Sequence, residues 1–253
     1  FTTAKILDQA GIDGILVGDS LGMVVQGRET TLKVSLDEII YHAEMVGRAV
    51  EHSLIVVDLP FPTHLVGDHE AIAAAARVLK ETECQTVKLE GGVRQAGTIA
   101  ALVSAGIPVM GHIGITPQSI NRFGKYQIQG KTFEDVRNIK QDALSLQEAG
   151  VFSIVLEGIY DDLAAEITQD LKIPTIGIGA GIKCDGQILV LHDLLGLGMD
   201  PSPKFVKQYA NLANETQKAV NSFIQEVRNE TFPDADHSYN VKVRKLKSNN
   251  TNI

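Results

Sequence analysis

Five short, β-branched apolar runs each end in, or lead directly into, an ionisable side chain. The runs are 14–19 (GILVGD), 54–59 (LIVVDL), 86–90 (TVKLE), 108–112 (PVMGH) and 152–157 (FSIVLE); the side chains are Asp19, Asp58, Lys88 with Glu90, His112 and Glu157. An otherwise apolar strand has no packing reason to end this way. If Asp19, Asp58 and Glu90 converge, they repel one another unless a cation lies among them. Oxygen-only donors suit a hard divalent ion such as Mg2+, which keeps waters or takes substrate oxygens to complete its octahedron. Each carboxylate alone has a plainer use, as the cap of the next helix.

Lys88 lies two residues from Glu90, so on a strand the two side chains share a face. A cation there suits the carboxylate of an anionic substrate; a local ion pair is the plainer alternative. Ser20 follows Asp19 and is either a hydrogen-bond donor to the same anion or a helix cap. Glu157 closes an apolar run, a setting that suits a general base near neutral pH; the competing use is pairing with a lysine at a barrel mouth. His112 either contacts substrate or is structural. A seventh run, 188–192 (ILVLH), brings His192 and Asp193 to a similar position. Gly177-x-Gly179-Ala180-Gly181 has the spacing of a phosphate-cradling loop, and equally of close backbone packing. No Ser/His/Asp or Cys/His nucleophile arrangement stands out.

These side chains need a scaffold that gathers strand ends. With 174–179 (PTIGIG) there are seven candidate strands, continuous in apolar character as strands covered on both faces should be. Helical patterns lie between them. One over 36–50 opens with a Ser35-x-x-Glu38 capping box. Others cover the Ala-rich stretch 70–79 and 133–149, which runs into Gly150 as a C′ residue. Alternating strand and helix predicts a parallel sheet with right-handed crossovers. In (β/α) barrels the strand C-termini line the active site. The opening segment FTTAKILDQAGID reads as the helix following an unseen strand, ended by Gly11. The expectation is therefore an α/β chain forming a (β/α)8 TIM-type barrel, its first strand missing from this chain, with extra C-terminal helices over 204–228. Residues 1–228 form one domain on this reading, and 229–253 a polar tail with Lys242, Arg244, Lys245 and Lys247.

The formal net charge is −8, which gives no reason to expect nucleic acid or an anionic membrane as partner. It leaves an acidic substrate open, because a local cation inverts the field of a pocket. No apolar run approaches the roughly 20 residues of a membrane helix. Cys84 and Cys184 lack a C-x-x-C partner and read as reduced thiols. With no visible signal peptide the expected location is cytoplasmic, or mitochondrial if a transit peptide preceded Phe1.

At the same residues the chain resembles the ketopantoate hydroxymethyltransferase family. The likeness runs through VGDSLGMVVQG (17–27), VVDLPF (56–61), VKLEGG (87–92), PVMGHIGITPQS (108–119), IPTIGIGAG (173–181) and DGQILVLHDLLG (185–196), in order over about 1–238. The resemblance implies a (β/α) barrel that assembles as a homodecamer. It implies Mg2+ on Asp19, Asp58 and Glu90, keto-acid contacts from Asp19, Ser20, Asp58 and Lys88, and Glu157 as proton acceptor. The implied reaction moves a hydroxymethyl group from 5,10-methylenetetrahydrofolate to 3-methyl-2-oxobutanoate, via a Mg-stabilised enolate, in pantothenate and coenzyme A biosynthesis. Two departures stand out: the family's opening strand with its Tyr-Asp pair is absent, and the tail past Tyr239 is longer than many relatives carry. Two other readings share parts of the pattern. A carbon–carbon lyase or mutase would use the metal and enolate without folate, and a non-catalytic barrel would take up no Mg2+.

Overall fold

Seven parallel strands follow one another in chain order, each hydrogen-bonded to the next: β1 (Gly14–Val17), β2 (Leu54–Asp58), β3 (Thr86–Glu90), β4 (Val109–Gly114), β5 (Ser153–Glu157), β6 (Thr175–Ile178) and β7 (Gly186–Gln187). The computed structural model describes residues 1–124, 127–198 and 202–239. The sheet curls with helices on its outer side, the expected (β/α) barrel architecture. The helices are α1 (Thr2–Gln9), α2 (Leu21–Val24), α3 (Leu36–Gly47), α4 (Asp68–Glu81), α5 (Ala96–Ser104), α6 (Ile120–Phe123), α7 (Phe133–Glu148), α8 (Asp161–Asp170), α9 (Leu191–Leu195) and α10 (Leu212–Arg228).

The capping box predicted at Ser35 and Glu38 is formed: the Glu38 N–H donates to Ser35 Oγ at 3.2 Å, and the Ser35 N–H to Glu38 Oε2 at 2.7 Å. Thr132 and Asp135 open α7 in the same way. Alternate strand positions divide the labour of the sheet. Ile55, Val57, Val87, Leu89, Ile154 and Leu156 pack outward with Ile39, Ile99, Leu102 and Leu146 of the helices in one apolar cluster. Val56 and Val155 are buried but stand outside that cluster. They share strand faces with Asp58 and Glu157, on the interior of the barrel.

Two expected elements differ. The seventh strand is Gly186–Gln187 rather than 188–192, paired with β6 through Ile176↔Gly186 and Gly177↔Gln187. Residues 188–190 lie in no regular element and α9 starts at Leu191, so His192 and Asp193 sit on a helix. Short apolar runs carry no period that separates the two states. The stretch 204–228 holds the single helix α10, opened by Asn211, whose side chain accepts from the Asn214 N–H. None of its residues is buried. Lys242, Arg244, Lys245 and Lys247 lie outside the described residues. Among the described residues no helix is long and apolar enough to cross a membrane.

Far from the strand C-termini, Asp8 of α1 anchors that helix to the segment before β2. Its buried carboxylate accepts from the N–H groups of Glu51 (3.1 Å), His52 (3.1 Å) and Ser53 (2.8 Å), and from Ser53 Oγ (2.8 Å). Those donors, the Glu51 and Ser53 N–H groups first, hold the carboxyl well below the usual carboxylate range. A depressed carboxylate contributes stability that is present above about pH 4 and is lost as pH falls toward its folded value. Asp8→Ala is therefore expected to lower the urea midpoint at neutral pH and to narrow the gap between parent and variant in acid. A pH-independent gap would contradict this linkage.

Candidate active site

The register of the sheet brings the ionisable side chains into one layer. Asp58 pairs with Lys88 across β2 and β3, Glu90 with His112 across β3 and β4, and Gly114 with Glu157 across β4 and β5. Paired residues of parallel strands point the same way, so these side chains meet inside the barrel. Asp19 joins them from the turn after β1. The last pairing depends on Gly114, whose φ is +96° and whose position would set a Cβ 2.2 Å from the Glu157 carbonyl oxygen. Only glycine tolerates that approach, which brings the end of β4 against the end of β5.

One carboxylate oxygen from each of Asp19, Asp58 and Glu90 lies within 4.8 Å of the others. All three residues are buried, at 4%, 2% and 5% exposure. None caps the helix that follows it, since those N-cap positions are Ser20, Gly67 and Gln95. Lys88 Nζ donates to Asp58 Oδ1 at 2.8 Å, a fully buried ion pair that crosses strands. Glu90 Oε2 accepts the Gln118 N–H at 3.0 Å. His112 stands between two carboxylates: Nδ1 is 3.8 Å from Glu90 Oε1, and Nε2 is 3.3 Å from Glu157 Oε2. The Glu157 side chain retains 22% exposure, against 3% for His112. Ser20 is half-buried, and its hydroxyl makes no cap to α2.

The electrostatics follow from burial. Burial pushes Asp58 up to about 7, against the pull of Lys88 and with added repulsion from Asp19. Burial also holds Glu90 well above the carboxylate range, despite Lys88. For Lys88 burial opposes the charge, but Asp58, Glu90 and Asp19 outweigh it and keep the ammonium protonated. His112 is held below the usual histidine value by burial first and by Lys88 second. Asp19 Oδ2 and His112 Nδ1 are buried without a hydrogen-bond partner in the protein, while His112 Nε2 has its 3.3 Å approach to Glu157. Such groups cost about 1–3 kcal/mol each when left unsatisfied, so their concentration here marks a surface built to meet a ligand. The oxygen-only trio could hold a divalent cation.

Two neighbours carry no sequence signal. His64, in the loop after β2, is 2% exposed, and burial and then Lys88 lower it to about 4. Gln118 lies in the Pro117–Ser119 turn after β4. Both sit in loops, where no periodicity points inward. Conversely, the glycines of GIGAG serve packing. Cβ atoms at Gly179 and Gly181 would meet the Phe205 ring at 2.8 Å and Asp161 Cβ at 2.5 Å.

A curled parallel sheet with buried carboxylates, a lysine and a histidine at its strand C-termini defines an acid-lined (β/α) barrel. Its fold is shared with phosphonopyruvate hydrolase, crystallised with oxalate and Mg++ (TM-score 0.59, 13% identity, 95% of this chain and 83% of that one). It is shared too with 2,3-dimethylmalate lyase (TM-score 0.54, 15% identity, 93% and 83%). The family model described as ketopantoate hydroxymethyltransferase matches residues 1–235. The 3-methyl-2-oxobutanoate hydroxymethyltransferase of Clostridium beijerinckii is 49% identical over 247 residues, 98% of this chain and 90% of that protein. The protein of the same name from Pelobacter propionicus is 52% identical over 237 residues, 94% and 88%. The chain belongs to the ketopantoate hydroxymethyltransferase family.

Proposed function

We propose that the chain transfers a hydroxymethyl group from 5,10-methylenetetrahydrofolate to C3 of 3-methyl-2-oxobutanoate, giving ketopantoate, with Mg2+ held by Asp19, Asp58 and Glu90. The observation that carries the reading is the buried carboxylate trio beside Lys88 and the His112–Glu157 pair. The trio fits the ion: three hard oxygen donors converge, and Asp19 Oδ2 is buried with no partner in the protein. When bound, the ion supplies Lewis-acid polarisation of the keto acid, which makes the C3 proton acidic.

The chain's own groups do the rest. Lys88, kept cationic, offers the counter-charge for the substrate carboxylate, and the free Ser20 hydroxyl donates to the same anion. Glu157 takes the C3 proton, and His112 at 3.3 Å steadies that carboxylate and lines the substrate side of the pocket. The resulting enolate carbon bonds to the methylene carbon of the folate as the bond from that carbon to N10 breaks and N10 takes up a proton. Water then displaces N5 from the same carbon, its oxygen becoming the hydroxyl of ketopantoate and its proton going to N5, which leaves tetrahydrofolate. The family resemblance further supports a homo-oligomer, as does α10, whose Val220, Phe223 and Val227 are exposed.

Ketopantoate should form from the keto acid only when 5,10-methylenetetrahydrofolate is supplied. Folate-independent cleavage of a substrate such as oxaloacetate would instead favour a lyase. The trio also predicts a pH effect. Because Asp58 is raised to about 7, the cation-free folded chain holds more protons than the unfolded chain between about pH 4 and 7, and loses stability as pH rises across that window. A cation must displace those protons. The Mg2+-induced rise in melting temperature is therefore expected to shrink as pH falls from about 8 to about 6, and a pH-independent rise would count against the site.

A further inference from the structure

Gln118 is hydrogen-bonded to the ends of two of the three strands that deliver the trio, β2 and β3. Its backbone N–H donates to Glu90 Oε2 at 3.0 Å, at the end of β3. Its side-chain Nε2 donates to the Leu59 carbonyl at 3.1 Å, one residue beyond Asp58. Leu59 is itself tied to β3, its N–H donating to the Lys88 carbonyl at 2.8 Å. The Pro117–Ser119 turn that carries Gln118 also packs against the Thr31–Lys33 turn, in the segment that follows Asp19. Gln118 is 5% exposed, so neither hydrogen bond competes with bulk water.

We infer that Gln118 is a positioning residue for the cation site: its amide fastens the turn to the end of β2, and its N–H holds Glu90 Oε2 and so fixes the carboxylate of that ligand. The inference rests on the reading of Asp19, Asp58 and Glu90 as cation ligands. Without the amide link the turn is free to move away from β2, and Glu90 regains rotamer freedom that cation binding must then remove. Outer partners of metal-binding carboxylates typically contribute about 10–100-fold in affinity. Gln118 itself touches no reacting atom, so its loss should act on the ion and not on the chemistry.

The test is Mg2+ titrated by calorimetry into the full chain, as parent, as Gln118→Met and as Gln118→Asn. Methionine keeps the length without a donor; asparagine keeps the amide but falls one methylene short of Leu59. Folding of each is checked by circular dichroism at the titration temperature. Both variants are expected to bind Mg2+ about ten-fold more weakly, with kcat at saturating Mg2+ returning to within about two-fold of the parent. A parent-like Mg2+ affinity in either folded variant overturns the inference, as does a weakened variant whose kcat saturating Mg2+ does not restore. A parent that takes up no Mg2+ sinks the cation reading and the inference together; a parent that binds, with variants that match it, sinks the inference alone.

Discussion

Asp58→Asn is expected to abolish tight Mg2+ uptake and to lower turnover by on the order of 10^3-fold or more, the scale of several kcal/mol of lost Lewis-acid assistance. Asparagine keeps the shape of the side chain, so the loss tracks charge. The same change removes the ion-pair partner of Lys88, whose side chain is 4% exposed, but Glu90 and Asp19 also hold that ammonium. Because burial favours the neutral form of Asp58, asparagine is expected to leave the cation-free urea midpoint at or above the parental value while Mg2+-dependent activity is lost. Near-parental turnover of Asp58→Asn would remove Asp58 from the cation site.

Glu157→Gln has the next largest effect, and its signature is different. Glu157 is not part of the trio and its side chain is partly exposed, at 22%. Mg2+ affinity and the unfolding midpoint are expected to stay close to the parent. The amide accepts no proton from C3, so kcat is expected to fall about 10^2–10^4-fold, the usual contribution of a general base. A fall in Mg2+ affinity of similar size would show that Glu157 acts on the ion. Comparison of the two variants separates holding the ion from moving the proton.

Much of this layer was legible because each of its polar residues stands at or near the end of an otherwise apolar run. Asp58, Lys88, Glu90, His112 and Glu157 all interrupt apolar runs on the side that faces away from the helices, and such interruptions survive in a bare sequence. Asp19 and Ser20 were legible from the Gly18-Asp19-Ser20 turn that ends the first run. The same pattern misled at a short run. At 188–192 five residues of mixed apolar character gave no period, and the backbone turned into α9 after a two-residue strand. His64 and Gln118 were hidden for another reason: their loops are placed by tertiary contacts, and nothing local indicates which loop residue turns inward. The glycines of GIGAG show the converse, a suggestive spacing whose cause is the nearness of Phe205 and Asp161.

Deuterium exchange at C3 of 3-methyl-2-oxobutanoate, followed by NMR in heavy water, tests the central claim most directly because it isolates proton removal from folate chemistry. It should be run with Mg2+, with EDTA, and with and without tetrahydrofolate, on the parent and on Glu157→Gln. Mg2+-dependent exchange is expected in the parent, and is expected to disappear with EDTA and in Glu157→Gln. Exchange that persists in EDTA, or at the parental rate in Glu157→Gln, would contradict it.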